Sequence, residues 1–273
     1  MKFFGSIFGK YRRFSSERGY SCDCCGREIF SYPFPRLCEE CSSALERNFR
    51  TCDKCGRKTV AEGLCLDCKR KPPEFSRGFS PFCYRGKAAE LINRMKNGER
   101  WLADYFGEQM SVFWKRLGLC ADIVVFVPMT EAGERKRGYN QAAELAEKIS
   151  EQTEIPVKSG LAKIRDTLPQ KRLTKAERRE NISGAYRAEG GFSGRKVLLV
   201  DDVMTTGATG SECAKALKRA GASDVFFLPR RKELKRSKNN EYRRTNARRS
   251  FISSRGRGVG QNADGMSRKI IRL

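Results

Sequence analysis

Residues 197–210 read Val-Leu-Leu-Val-Asp-Asp-Val-Met-Thr-Thr-Gly-Ala-Thr-Gly, and the reading of this stretch decides the fold. Four consecutive apolar residues predict a short strand buried on both faces, as in a parallel sheet. Asp201 and Asp202 end it, and a Thr/Gly-rich turn then opens a helix predicted over 209–220. The backbone N–H groups and Thr hydroxyls of such a turn can surround a phosphate, and the helix N-terminus adds the positive end of its dipole. In an open α/β sheet the carboxyl ends of the strands are where ligands bind. Two carboxylates touching the phosphate would repel it, whereas one sugar away they accept hydrogen bonds from ribose hydroxyls. A strand–turn–helix with ordinary Asp and Thr caps is the plainer reading of the same residues.

Working outward, residues 87–96, 99–117 and 140–151 have helical patterning, and 123–127 (Ile-Val-Val-Phe-Val) and 225–228 (Val-Phe-Phe-Leu) are further apolar runs of strand length. Short apolar strands separated by helices predict an α/β domain with a mainly parallel sheet covered on both faces. Lys71-Pro72-Pro73 marks its start, because paired prolines stop helix and strand continuation. The chain thus divides into a basic segment 1–19, a cysteine-rich region 20–71, the α/β domain 72–229 and a tail 230–273.

The chain has 56 Lys and Arg against 32 Asp and Glu, a formal charge of +24, and no histidine. Absence of histidine excludes a Ser-His-Asp or Cys-His catalytic pair, a His-ligated zinc enzyme and a histidine pH switch. The tail carries 15 basic residues against 3 acids, half of the net charge, with few large apolar residues, which predicts disorder. It fits nonspecific contact with nucleic-acid phosphates and equally a solvated extension. The aromatic, basic start of the chain is interrupted by Gly, Ser and Lys, so no signal sequence forms, and no run approaches the roughly 18 apolar residues of a membrane span. The expectation is a cytoplasmic protein, where closely spaced cysteines bind metal rather than form disulfides.

Eight of the 12 cysteines form four C-x-x-C pairs: Cys22/Cys25, Cys38/Cys41, Cys52/Cys55 and Cys65/Cys68. Two such pairs supply a tetrahedral thiolate site, so the spacing predicts two structural zinc sites with no open coordination position. An iron–sulfur cluster is the rival occupant. Cys22-Asp23-Cys24-Cys25-Gly26-Arg27 repeats at an offset of 30 as Cys52-Asp53-Lys54-Cys55-Gly56-Arg57. One site per repeat is the simplest assignment, crossed pairing of 22/25 with 52/55 stays open, and Cys24 is the spare thiol. Cys83, Cys120 and Cys213 are expected to be buried small residues.

The 197–210 stretch resembles the phosphoribosyl pyrophosphate (PRPP) motif of type I phosphoribosyltransferases. The order of features narrows this. Cysteine pairs are followed by Tyr84-x-Gly86, Lys96, Pro128, Arg137-Gly138-Tyr139-Asn140-Gln141, Thr167-x-x-Gln170, Arg178-Arg179-x-Asn181-x-x-Gly184-Ala185-Tyr186 and the PRPP motif. The whole is similar to the ComF family (competence protein F, ComFC or GntX-like) over residues 20–229. That resemblance implies a double zinc ribbon preceding a type I phosphoribosyltransferase fold, and a role in DNA uptake or the processing of incoming DNA.

It further implies Asp201 and Asp202 on the ribose, as the candidate catalytic pair, and Thr205, Thr206, Gly207, Ala208 and Thr209 around the 5′-phosphate. The turn from Pro128 would be the pyrophosphate loop, with Arg137, Asn140 and Gln141 at its helical end. Residues 165–181 would form a hood loop anchored by Arg178, Arg179 and Asn181, although a solvated charged helix has the same composition. The family usually has a basic residue early in the pyrophosphate turn, where this chain has Thr130-Glu131-Ala132-Gly133-Glu134. Arg135 or Arg137 would then take over that contact, with Mg²⁺ between pyrophosphate and acids. A transferase of unidentified acceptor, a PRPP or nucleotide sensor without turnover, and a single-stranded-DNA-binding partner of a competence helicase all fit this pattern.

Overall fold

The computed structural model describes residues 21–30, 36–45, 50–83, 86–167, 173–204 and 206–232. The expected disordered tail beyond Lys232, the segment 1–19, Tyr84, Gln170 and Thr205 lie outside these residues.

Val197, Leu198, Leu199 and Val200 are fully buried in strand β6 (Lys196–Met204), the centre of the sheet. Removing four such side chains from water stabilises the fold by about 2 kcal/mol each. On one side β6 pairs in parallel with β3 (Ile123–Phe126), on the other with β7 (Asp224–Lys232). Two short strands, β1 (Arg77–Gly78) and β2 (Phe82–Cys83), pair in succession along β7, again in parallel. The order is therefore β1-β7-β6-β3, with β2 also on β7. A separate antiparallel pair, β4 (Leu161–Lys163) with β5 (Tyr186–Ala188), lies off this sheet.

Side chains of β6 alternate between two cores, as strand geometry requires. Leu198 and Val200 join Leu91, Phe106 and Leu145 from α3 (Gly86–Lys96), α4 (Trp101–Arg116) and α6 (Gln141–Thr153). Val197 and Leu199 join Cys213 and Leu217 of α8 (Ala208–Arg219). The helices and strands read from hydrophobic patterning are present with ends shifted by a few residues, except at β7. Arg230, Arg231 and Lys232, assigned by composition to the tail, continue that strand, and Arg230 is fully buried. Charge concealed the strand because an ion pair, described below, makes this burial tolerable.

The cysteine-rich region packs into both cores. Cys22, Ile29, Leu37 and Cys41 belong to the core of α3 and α4, whereas Cys52, Cys55 and Cys68 belong to the core of α8. Cys83 and Cys213 are buried, but Cys120 is exposed, contrary to the expectation from sequence. It sits in the turn between α4 and β3, where Leu117, Leu119 and Ala121 pack against the core and Cys120 is left outside it.

Candidate functional site

The eight paired cysteines fold as two copies of one structure. Each copy opens on a turn in which Gly26 or Gly56 adopts positive φ (+74° and +62°) and donates its N–H to the first cysteine's carbonyl. A non-glycine residue would be strained there. The third cysteine of each set, Cys38 or Cys65, precedes a one-turn helix, α1 (Glu39–Ser43) or α2 (Leu66–Arg70), which carries the fourth. Its N–H donates to the sulfur of the first cysteine at 3.2 Å in both copies. The four Sγ atoms of 22/25/38/41, and those of 52/55/65/68, lie within 4.8 Å of one another. The grouping is thus one set per repeat, and the crossed pairing falls.

Cys25–Cys38 and Cys55–Cys65 are both 3.8 Å between sulfurs. Four thiolates on a zinc at about 2.3 Å have edges of about 3.8 Å, so the donor sets fit a closed tetrahedral ion. Burial alone would raise the Cys22 and Cys52 thiols, but backbone N–H donors bring each down to about 7. Cys24 stands outside its set, its thiol pushed up by burial.

The carboxyl ends of β6 and β3 emerge side by side because the strands are parallel. From β6 the chain enters α8 through Gly207, left-handed at φ +79°, and Thr206 Oγ1 accepts from Ala208 N–H. From β3, Val127 to Thr130 lead into α5 (Glu131–Arg137), whose N-cap Thr130 accepts from Gly133 N–H at 3.2 Å. Arg135 is paired with Glu131 within this helix at 3.2 Å, so one of the two arginines expected to compensate for the acids is engaged with one of them. Asn140 is buried as the N-cap of α6, accepting from Ala142 N–H, and its amide donates to Val127 O. It thereby fixes the end of β3 against α6. Gln141 is buried beside it.

Asp201 and Asp202, read as a pair, lie on opposite faces of β6. Asp201 is half-buried on the α8 side. Burial, then the charges of Cys213 and Asp201, push the Tyr186 hydroxyl up; burial, then Asp201, does the same to the Cys213 thiol. Asp202 is buried on the other side and accepts from Arg230 Nη2. Arg230 lies one residue beyond the Asp201–Pro229 pairing of β6 and β7. Its Nη1 reaches Met95 Sδ at 2.6 Å, and its guanidinium carbon is 4.8 Å from the Phe106 ring centroid. Sequence reading missed Arg230, hidden in an Arg-Arg-Lys run that resembles the tail.

The helix α7 (Lys175–Ile182) closes one side of the site, started by a capping box in which Thr174 and Glu177 satisfy each other's backbone N–H groups. Arg178 turns back to donate to Leu173 O, while Arg165 donates to Asn181 O and Ser183 O and so holds the helix end. Glu212 of α8 accepts from Gly184 N–H at 2.8 Å, tying the end of α7 to α8. Arg179 faces a cleft that also touches Thr206, Gly207 and Ala208. Of the three expected hood anchors, Arg179 is therefore placed toward the turn, whereas Arg178 Nε and the Asn181 carbonyl are engaged within the segment itself. No helix among the described residues is long and apolar enough to cross a membrane.

Residues 127–243 match the phosphoribosyl transferase domain family. The DNA utilization protein YhgH of Escherichia coli K12 is 30% identical over 197 residues, covering 69% of this chain and 87% of that protein. The chain belongs to the ComF family. Competence protein F of Haemophilus influenzae is 27% identical over 201 residues, with 69% of this chain and 87% of the relative covered. Competence protein ComFC of Bacillus subtilis is 26% identical over 212 residues, with 74% and 86% covered. This ComF member thus joins a phosphoribosyltransferase fold to two four-cysteine modules, in a family whose named proteins concern DNA utilization and competence.

Proposed function

We propose that this ComF protein binds PRPP at the ends of β6 and β3 and serves the handling of incoming DNA. The observation that carries the reading is the left-handed Gly207 turn into α8, five residues after Asp202 and just beyond the carboxyl end of a central parallel strand. Thr205, Thr206, Gly207, Ala208 and Thr209 would hold the 5′-phosphate through backbone N–H and hydroxyl donors. Asp201 would accept from the ribose hydroxyls, while Asp202, on the opposite face of β6, would hold the end of the strand through its pair with Arg230. Asp201, Glu131 and Glu134 are hard oxygen donors of the kind Mg²⁺ takes, and with pyrophosphate such an ion screens negative charge. Zinc fits the two thiolate sets as a structural ion; 20–71 would hold the zinc modules, and the PRPP site would lie in the domain from 72 to the end of β7 at Lys232.

Where an acceptor is present, its nucleophile bonds to ribose C1 as the C1–oxygen bond to pyrophosphate breaks and the electron pair leaves with pyrophosphate. The chain's part in that step is positioning and electrostatics. Asp201 orients the ribose and faces the positive charge that develops on it. The relatives' names support DNA as the context; within this reading single-stranded DNA and a competence helicase would be the partners and the cytoplasm the compartment.

Calorimetric titration of PRPP with Mg²⁺ tests the pocket. The wild type is expected to bind, and Asp201→Asn to bind about 10- to 100-fold more weakly, the usual range for losing charged hydrogen bonds. Absence of binding to folded wild type would refute the reading. For the DNA role, affinity for single strands should fall steeply with salt. Metal analysis should find two zinc ions per chain.

A further inference from the structure

Tyr139 is buried where the turn that follows β3 rejoins the fold. The helix α5 ends on Gly138, left-handed at φ +78°, a conformation that glycine adopts without steric cost. The chain reverses there and carries Tyr139 inward. Its hydroxyl donates to Met95 O at 2.7 Å, in the last turn of α3, where carbonyls have no partner within the helix. The Gln141 side chain bonds to the same hydroxyl. Arg100 covers the ring, its guanidinium carbon 4.6 Å from the centroid, and its Nε donates to Glu144 at 2.8 Å.

Met95 is also the residue that Arg230 reaches through Nη1, while Arg230 Nη2 holds Asp202. Met95 therefore takes a bond from each side of the site. Its carbonyl is held by the turn after β3, and its sulfur by the end of β7 and, through Arg230, of β6. The neighbouring Asn140 ties the other edge of the same turn to Val127 O at 3.2 Å. Residues 128–138 leave the sheet at Val127 and return at Tyr139, so these two bonds fix where α5 sits. That placement matters because α5 mixes its charges, Glu131 and Glu134 with Arg135, Lys136 and Arg137. Coulomb energy changes inversely with separation, so a small displacement of α5 alters which sign an anion on the turn meets first.

We infer that Tyr139 is the positioning residue of the turn 128–138, setting it through Met95 against the end of β6, so that affinity for a pyrophosphate group depends on a buried hydroxyl. The inference rests on the reading of this turn as the pyrophosphate loop. Asn140 does not duplicate the role, since its amide bonds to Val127 O and Ala142 N–H and leaves α3 untouched.

The test is calorimetric titration of the full-length, zinc-loaded protein with PRPP and with ribose 5-phosphate, both with Mg²⁺, in the wild type, Tyr139→Phe and Arg100→Ala. Phenylalanine keeps the ring and removes the hydroxyl alone. PRPP is expected to bind Tyr139→Phe about three- to tenfold more weakly, the range for one hydrogen bond, and ribose 5-phosphate to bind as it does to the wild type. Arg100→Ala uncovers the ring and leaves the hydroxyl its bonds, so it lowers the melting temperature and keeps the ratio of the two affinities. That contrast separates positioning from packing. Unchanged PRPP affinity in Tyr139→Phe, an equal loss for both ligands, or the same change of ratio in Arg100→Ala overturns the inference and leaves the pocket standing. Folded wild type that fails to bind PRPP, or binds it no better than ribose 5-phosphate, refutes the pyrophosphate reading of the turn and the inference with it.

Discussion

The two cysteine modules are built alike and docked differently. In each, the first cysteine's N–H donates at 2.7 Å to the arginine that ends the repeat, Arg27 or Arg57. That arginine pairs at 2.5 Å with the acid two residues after the third cysteine, Glu40 or Asp67. The repeated hexapeptide supplies the turn and the arginine, and the segment after the third cysteine supplies the acid, so each module carries both bonds within itself. Where the copies part is outside the repeat. The first module sits against α3 and α4, with Arg94 Nη1 donating to Asp23 O at 2.6 Å and Arg36 lying over Trp101. The second meets β1 backbone to backbone, Gly78 N–H donating to Lys54 O at 2.8 Å. Its Arg57–Asp67 pair is about one-quarter to one-third exposed, against about two-thirds for Arg27–Glu40. Duplication thus supplies two four-cysteine folds, and the surface each meets sets them apart: the first braces helices, the second borders the Gly207 turn.

Breaking either metal set gives the largest effect. Cys22→Ser and Cys52→Ser should each reduce bound zinc from two ions to one, and each forfeits metal binding free energy that in isolated zinc fingers is roughly 10 kcal/mol or more. Metal content and thermal melting report both losses. Weaker binding of phosphate ligands is expected from Cys52→Ser and not from Cys22→Ser. Equal loss of ligand affinity in the two would erase the functional distinction between the modules. The glycines sharpen it further. Both have positive φ, so alanine costs about 1 kcal/mol at Gly26, where a Cβ would meet open space. A Cβ at Gly56 would stand 2.5 Å from Gly78 O and 2.8 Å from Phe79 Cα. Backbone has to move, which adds about 1–3 kcal/mol. Urea unfolding of Gly26→Ala and Gly56→Ala should rank them in that order.

Much of this was legible in the sequence for reasons that are local. Val197 to Val200 are buried on both faces and therefore read as an unbroken apolar run, and the cysteine spacing directly encodes the two donor sets. The short strands β1 and β2 were not legible, since two residues carry no periodicity; they exist because β7 offers them an edge. Asp201 and Asp202 read as one acidic pair because adjacent letters do not display the strand's alternation, which sends them to opposite faces. Arg230 was lost for the complementary reason. Its burial depends on Asp202, Met95 and Phe106, all distant in sequence, while its neighbours Arg231 and Lys232 continue into a basic tail. Removing only one member of that pair would leave a buried charge uncompensated, so Asp202→Asn tests folding as well as binding.

The docking contacts themselves give intermediate effects. Arg94→Ala removes the bond to Asp23 O, a fork onto Glu99 at 2.7 and 2.8 Å, and a place over Trp101, at a cost of about 2 kcal/mol. Lys54→Ala removes one bond, Nζ to Ser76 O at 3.0 Å, from a lysine whose charged form is already disfavoured by burial and then by Lys218. About 1 kcal/mol is expected, measured by the same urea unfolding. Were Lys54→Ala the costlier, the second module would depend on that side chain rather than on the backbone contact at Gly56.

Cys24 occupies the position in the first repeat that Lys54 has in the second, and it gives the smallest effect. It lies outside the four-sulfur set and packs at the edge of the core formed with α3, near Lys87 and Glu90. Cys24→Ser exchanges a sulfur for a hydroxyl of similar shape, and half-burial leaves that hydroxyl access to solvent. Stability should change by about 0.5 kcal/mol or less, and zinc content should stay at two. The same thiol, raised by burial, should be alkylated more slowly by iodoacetamide than exposed Cys120 in the zinc-loaded protein. Loss of one zinc from Cys24→Ser would mean that this repeat selects its fourth ligand from five cysteines, and the two modules would then differ in their metal chemistry as well as in their docking.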